Sequence, residues 1–442
     1  MTGEGQLGMN GPGRVGESSQ GRRVVITGIG AVTPVGNDAP STWASLVAGC
    51  SGVRKLSTFD TSTFPVRIGG QVEGFRLRDR VPGAGRLRHL SRAGQFGVGA
   101  AVEALGAAGA GPGTYDPADC GVAMGASVGR VGLQEIVDVG RLREATGNRM
   151  MFRHPPGDVL TRDQNVPVAA MARLAGYTGP MLGLSTACAG SGHAVGEAFR
   201  LIQEGDATLM LAGGFDSLTT WVDLLGFSLL GALTADYNDD PKRASRPFDA
   251  DRSGFVIGEG AVVFVLEELS AARGRGAPIL AELLGYCSTL NAYRITDSPP
   301  DGGGAIPAMA GALAESGRGP GDIDYVAAHG TSTPGNDASE TVAIKEVFGP
   351  DAYRLAISSP KSVAGHLTSA AAALNLLAAV GAIRHSVVPP TVNLDNPDPA
   401  LDLDYVPHIA RPMPVRAALV NAFAFGGTNV SLVVAASPEE DR

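Results

Sequence analysis

Met181-Leu182-Gly183-Leu184-Ser185-Thr186-Ala187-Cys188 is a short apolar run that ends in hydroxyl residues and a cysteine. It leads into Gly190 to Gln203, where Ala194, Val195, Ala198, Phe199, Leu201 and Ile202 recur at helical spacing. Gly205 stops that helix, and Ala207 to Ala212 reads as the next strand. About 170 residues later the plan returns, with Leu355-Ala356-Ile357-Ser358-Ser359 as the strand. A polar loop through Lys361 and His366 follows, then an alanine-rich helix over about Ser369 to Arg384, then Ser386-Val387-Val388 as an extended segment before Pro389-Pro390. The separation is far too long for a solenoid repeat. It predicts a duplicated domain whose halves pack together, with the Lys361–His366 loop at the place Cys188 holds in the first half. If the halves are related by a pseudo-twofold, both loops converge on one cavity.

Outward from these segments, Arg23-Val24-Val25-Ile26-Thr27-Gly28-Ile29-Gly30 reads as a buried opening strand, and strands and helices alternate after it. The expected organisation is a disordered Gly/Ser-rich leader over 1–21, a first half over 22–270, a second half over 271–437 and a tail over 438–442. Composition agrees with a packed α/β protein. Glycine is 62 of 442 residues, and hydrophobics are 44%, too many for a disordered chain. Helices rich in Ala and Gly on all faces predict close burial between sheets. A net charge of −9 argues against non-specific nucleic-acid binding, and no apolar run is long enough to span a membrane. Cys50, Cys120, Cys188 and Cys287 are widely spaced, matching neither a disulfide framework nor a zinc site. Reduced thiols in the cytoplasm are the expectation, with no metal.

Four stretches could carry chemistry. Cys188 stands just before a helix, where the macrodipole favours a thiolate and free N–H groups can hold an oxyanion. The same placement suits a buried structural cysteine, the role expected of the other three. His329 ends the strand Tyr325 to Ala328 and precedes Gly330-Thr331-Ser332-Thr333, which fits a polar site or a capping cluster. His366 follows Lys361 in the second-half loop. Asn421 to Asn429 reads as a strand, a Gly426-Gly427 turn and the start of another strand. His193 lies on the helix after Cys188 and is expected to be a packed core residue.

Together these motifs resemble the β-ketoacyl-acyl carrier protein synthases, the condensing enzymes of fatty-acid and polyketide synthesis, and most closely the elongating synthase II type. The resemblance runs from about Arg22 to Ala435 and includes Thr186-Ala187-Cys188, Arg246-Pro247-Phe248-Asp249 and His329-Gly330-Thr331-Ser332-Thr333. It continues through Lys361 with Gly365-His366, the run Val392 to Asp398, and Phe425-Gly426-Gly427-Thr428-Asn429. It implies a thiolase fold, five layers α-β-α-β-α built from two duplicated halves, assembled as a homodimer or as a heterodimer with a chain-length-factor subunit. It implies Cys188 as the acyl-accepting nucleophile, His329 and His366 as the groups that assist malonyl decarboxylation, and Lys361 and Glu340 as electrostatic support. The N–H groups of Cys188 and Phe425 would form the oxyanion hole. Thr331 and Thr333 would hold the phosphopantetheine arm of an acyl carrier protein, Phe425 facing Val128 would gate the acyl pocket, and Gly426 and Gly427 would belong to the binding turn. No cofactor beyond the carrier's own arm is implied.

The chain departs from the family pattern at Ala424, Ser369 and Ala372, which stand where glycine is common, and at Ser253 and Pro360. The segment Arg153 to Asn165 is polar where the family is apolar, which points to an altered dimer contact or pocket floor and towards specialised polyketide work. Arg86, Arg88 and Arg92 form a local basic cluster that either steers an acidic carrier or is a solvated helix face. Two other readings remain. One is a thiolase, or a thiolase-fold acyltransferase that does not elongate; thiolases typically use a second cysteine in the later half, where this chain has Lys361 and His366 and no cysteine after Cys287. A non-catalytic chain-length factor would lack the nucleophile.

Overall fold

A computed structural model describes residues 21–127, 129, 133–147 and 163–437. The expected leader, most of the Arg153–Asn165 segment, Val128 and the tail lie outside them. Ten strands form one sheet: β1 (Val24–Val32), β4 (Cys120–Gly125), β5 (Met181–Leu184), β6 (Leu209–Ser217), β7 (Glu259–Glu268), β8 (Ala281–Leu290), β9 (Tyr325–Ala327), β10 (Ala356–Ser358), β13 (Ala417–Phe423) and β14 (Thr428–Ala435). Two short pairs stand apart, β2 (Val53–Lys55) with β3 (Ile68–Gly70) and β11 (Val387–Val388) with β12 (Arg411–Pro412).

The order β10-β9-β13-β14-β8-β1-β7-β6-β4-β5 shows the duplication directly. Read outward from the centre, β1-β7-β6-β4-β5 matches β8-β14-β13-β9-β10, with two antiparallel pairings and then two parallel ones on each side. The halves meet where β1 runs antiparallel to β8 over three residue pairs. Between the half-sheets lie the helices Gly190–Glu204 and Ala371–His385, each close to its expected range. The second is buried from Ala371 to Val380 on every face, as a helix apolar all round must be. Their side chains, with Phe264, Met210, Leu432 and Val420, form the central core. Outside the first half-sheet pack Arg92–Ala108 and Asn165–Ala175, and outside the second pack Ala305–Ser316 and Pro334–Phe348. This is the five-layered thiolase architecture.

Small residues permit the closest approaches. A Cβ on Gly125 would come within 2.1 Å of the Gly190 carbonyl carbon, so no larger residue fits where β4 meets the first central helix. One on Gly192 would sit 3.2 Å from the Ala372 Cβ, so the two central helices nearly touch at their starts.

Two details of the expected repeat change. The extended segment after the second helix does not enter the main sheet, because Pro389 and Pro390 cannot donate to a central ladder. The counterpart of β6 is instead β13. The position matching Cys188 also shifts. Cys188 sits in a single 3₁₀ turn, Ala187–Ala189, ahead of its helix, and the second half has the same turn at Thr368–Ala370. Both turns open on a left-handed non-glycine residue, Ala187 at φ 47° and Thr368 at φ 48°. Ser369 therefore occupies the place of Cys188, and Ser359 to Leu367, with Lys361 and His366, replace the two residues Ser185 and Thr186.

Candidate active site

Three strand ends bring the candidate residues together. Cys188 follows β5, His329 follows β9, and Phe423-Ala424-Phe425 ends β13, while His366 hangs from the inserted loop after β10. Cys188, His329, His366, Thr331, Thr333 and Phe425 line one cavity of about 430 Å³. The His329 and His366 rings meet edge to face with centroids 5.5 Å apart. Phe255 packs between His366 (5.3 Å) and Phe425 (6.5 Å).

The histidine loop is held from below. Glu340, fully buried on the Pro334–Phe348 helix, accepts the His329 N–H through Oε1 and the Gly330 N–H through Oε2, both at 2.8 Å. Asn421 Nδ2 donates to the same Oε1 at 3.0 Å. Asp337 accepts the Thr331 N–H at 3.0 Å. Thr333 precedes the helix without capping it by its side chain, and its hydroxyl pairs with Thr331 Oγ1 at 2.9 Å on the cavity wall. The capping alternative for these threonines is therefore set aside.

Burial decides the charges. It holds both His329 and His366 well below the ordinary imidazole range, and the Lys361 ammonium pushes each further down. Both rings are neutral at pH 7. Thr368 N–H donates to His366 Nδ1 at 3.1 Å, which leaves the ring proton on Nε2. Burial also lowers Lys361 to about 8, against the upward pull of Glu340 and Cys188. Among the described residues Lys361 Nζ has no hydrogen-bond partner, so Glu340 acts on it only through space.

Cys188 does not behave as its helix position alone predicts. Burial pushes its thiol up to about 11, although Lys361 and the N–H groups of Phe425 and Cys188 itself pull the other way. The resting group is the thiol. Iodoacetamide labelling of Cys188, read by mass, is expected to climb with pH up to about 11; a plateau by pH 8 would show that the helix start outweighs burial. The two N–H groups that act on the sulfur are those expected to form an oxyanion hole.

Other expectations fare differently. Gly426 (φ 88°) and Gly427 (φ 83°) do not line the cavity. They form a turn tied to its rim, where Gly426 N–H donates to Ile295 O at 2.7 Å and Asn291 N–H to Gly427 O at 2.8 Å. Arg92 is not a free basic residue: its side chain is 46% exposed, but its guanidinium grips the buried Glu259 at 2.6–3.1 Å and lies over Phe96. Arg86 and Arg88 are exposed around a shallow depression. His193, expected as a packed core residue, is partly buried and polar in its contacts: Nδ1 meets Thr186 Oγ1 at 2.9 Å and Nε2 meets Ser288 Oγ at 2.8 Å. All four cysteines are free, and Cys50 is exposed rather than structural. Among the described residues no group of three or more His, Cys, Asp or Glu could hold a metal, and no helix could cross a membrane. Sequence reasoning missed Asp216 and Phe255, which carry no local motif, and gave Asn421, the first residue of the fourth stretch, no role of its own.

The chain matches two family models, the β-ketoacyl synthase N-terminal domain over residues 21–272 and the β-ketoacyl synthase C-terminal domain over 280–395. It is 42% identical to 3-oxoacyl-[acyl-carrier-protein] synthase 2 of Synechocystis sp., across 93% of this chain and 97% of that protein. The Staphylococcus aureus (strain COL) protein of the same name is 37% identical, across 94% and 98%. Among solved structures, one of a type II polyketide acyl-carrier protein in complex with its ketosynthase bound to a hexaketide aligns with TM-score 0.84 and 33% identity, covering 95% of this chain and 100% of the other. The ishigamide ketosynthase/chain length factor aligns with TM-score 0.82 and 32% identity, covering 94% and 100%. With the doubled half-sheets and the cysteine and two histidines meeting in one cavity, these matches establish that the chain belongs to the β-ketoacyl synthase family.

Proposed function

We propose that this protein catalyses the decarboxylative Claisen condensation of a malonyl thioester, borne on an acyl carrier protein, with an acyl group held on Cys188. The observation that carries this reading is the convergence of one thiol, two neutral imidazoles and two backbone N–H groups on a single cavity. The reaction needs a sulfur that is both nucleophile and leaving group, and donors for two developing oxyanions.

In the first step the Cys188 sulfur attacks the acyl thioester carbonyl. A new C–S bond forms, the Cys188 and Phe425 N–H groups take the oxyanion, and the carrier thiol leaves with the Cys188 proton. In the second step a malonyl thioester sits with its carbonyl oxygen against His329 and His366. Its C–CO₂ bond breaks, carbon dioxide leaves, and the electron pair forms an enolate that accepts the His366 Nε2–H. The enolate carbon then attacks the acyl carbonyl, a C–C bond forms, the bond to sulfur breaks, and Cys188 takes up a proton. Neutral rings suit this work, since a donor without net charge strengthens only as the oxyanion appears. Lys361 adds a positive field, Glu340 holds the His329 loop, and Thr331 and Thr333 receive the carrier's phosphopantetheine arm. The protein needs no cofactor of its own.

The reading is tested by supplying acyl and malonyl carriers and weighing the carrier-bound product: a 3-oxoacyl chain two carbons longer supports it, and acyl exchange without elongation refutes it. For the carrier, Arg86 and Arg88 remain as the basic contact in an acidic chain. Arg88→Glu is expected to raise the KM for the carrier about threefold to tenfold at low salt, with kcat unchanged. A second ketosynthase-fold chain would cover β5, the outer strand, where Met181 is 46% exposed, and the Leu133–Thr146 helix, which exposes Leu133, Ile136, Val139 and Leu142. Native mass measurement is expected to give a dimer, and a monomer at micromolar concentration would count against this. The pathway favoured is specialised polyketide elongation over fatty-acid synthesis.

A further inference from the structure

The mechanism leaves one buried carboxylate unused. Asp216, on β6, is 3% exposed. Its Oδ2 accepts from Thr368 Oγ1 at 2.6 Å, from Ser127 Oγ at 2.8 Å and from the Ser369 N–H at 3.0 Å. Its Oδ1 accepts the Ser217 N–H at 3.0 Å, and the Ser217 hydroxyl is tied in turn to the buried Glu259 at 2.6 Å. One side chain thus fastens the Thr368–Ala370 turn of the second half to β6 of the first.

That turn is the one that orients His366. Thr368 N–H donates to His366 Nδ1, and this bond leaves the ring proton on Nε2, where the mechanism uses it. The other neighbours of the ring make no such choice. Phe255 and His329 meet it edge to face at 5.3 and 5.5 Å, which bounds the imidazole without selecting its tautomer. The donor itself stands in a costly conformation. Thr368 has φ 48°, a left-handed backbone that β-branched residues rarely adopt. Such a residue persists only where its surroundings over-determine it, and relaxing it would turn the peptide that carries the N–H. The bonds from its own hydroxyl and from the next N–H to one carboxylate oxygen supply that constraint.

We propose that Asp216 is a positioning residue for decarboxylation: by clamping the Thr368–Ala370 turn it holds Thr368 N–H on His366 Nδ1, and so aims the Nε2 proton at the malonyl thioester carbonyl. Asp216 acts through Thr368 and is not itself a catalytic residue. This rests on the reading of His366 as an oxyanion donor in the condensation.

The test separates two half-reactions in the whole protein: carbon dioxide release from a malonyl carrier, and mass gain at Cys188 from an octanoyl thioester. Asparagine has the shape of aspartate but a single acceptor oxygen, so it cannot serve both the Ser217 N–H and the turn. In Asp216→Asn carbon dioxide release is expected to fall about tenfold to a hundredfold with KM unchanged, the loss suited to a displaced donor. Acylation is expected to hold or rise, because Asp216 opposes ionisation of the Cys188 thiol. Thr368→Val keeps the shape and the N–H but drops the hydroxyl, and is expected to lower carbon dioxide release about threefold to tenfold. Thr368→Ser, which restores the hydroxyl, is expected to stay within about twofold of the unaltered protein. Unchanged decarboxylation in Thr368→Val, or an equal fractional loss in both half-reactions, would reduce Asp216 to a packing role and overturn the proposal, whether or not Asp216→Asn folds. No carbon dioxide release by the unaltered protein would overturn the ketosynthase reading itself, and this role of Asp216 with it.

Discussion

Cys188→Ala is expected to take up no acyl group: incubation with an octanoyl thioester adds no mass, and condensation falls by about four orders of magnitude or more. The size follows from the division of labour in the cavity. No other thiol lines it, and Ser369, which holds the corresponding place in the second half, has its hydroxyl directed at Ser127. The substitution removes the sulfur and leaves Glu340, Asn421 and Thr368 to hold the histidines. Release of carbon dioxide from a malonyl carrier is therefore expected to continue in the variant. Acylation that persisted at another residue would refute the assignment.

His366→Ala is expected to do the reverse. Removing one oxyanion donor costs about 10²–10³ in rate, so decarboxylation and condensation fall by that factor while Cys188 still gains an acyl group by mass. The pH profile gives an independent reading. Both histidines are held far below their ordinary range, so the decarboxylation rate is expected to be flat between about pH 6 and 7, where an ordinary imidazole would titrate. Lys361 is lowered to about 8, so its positive field is present below that pH and is lost above it, and the rate is expected to fall on the alkaline side. A sigmoidal rise centred near pH 6.5 would show that a histidine works as a charged or general-base group.

What could be read in the sequence was local. The strand ending in Cys188, the helix after it, the strand ending in His329 and the Gly426-Gly427 turn each announce themselves within about ten residues by apolar run, glycine or polar cluster. What could not be read depends on contacts across the chain. Asp216 meets Ser127, Thr368 and Ser369 from 89 to 153 residues away. Arg92 finds Glu259 across 167 residues, which is why it resembled a free basic residue. Both repeats carry a polar loop, yet only the 3₁₀ turns with their left-handed first residues show that Ser369, and not the Lys361–His366 loop, matches Cys188. The helix-start argument for a thiolate was sound as far as it went, but the depth at which that helix is buried is a tertiary fact.

The seam between β1 and its neighbours has a consequence for synthesis on the ribosome. β1 is made first, yet it lies at the centre of the sheet, pairing Val24 with Glu268 of β7 and with Leu283 of β8. At about 5–20 residues per second, its first partner arrives some 12–50 seconds after it does. Until then a nine-residue apolar strand has both edges open. The first half-sheet thus closes only when β7 is made, and the β1 edge that pairs with β8 stays open until the second half begins, so the nascent chain is a natural client for chaperones that shield exposed strands.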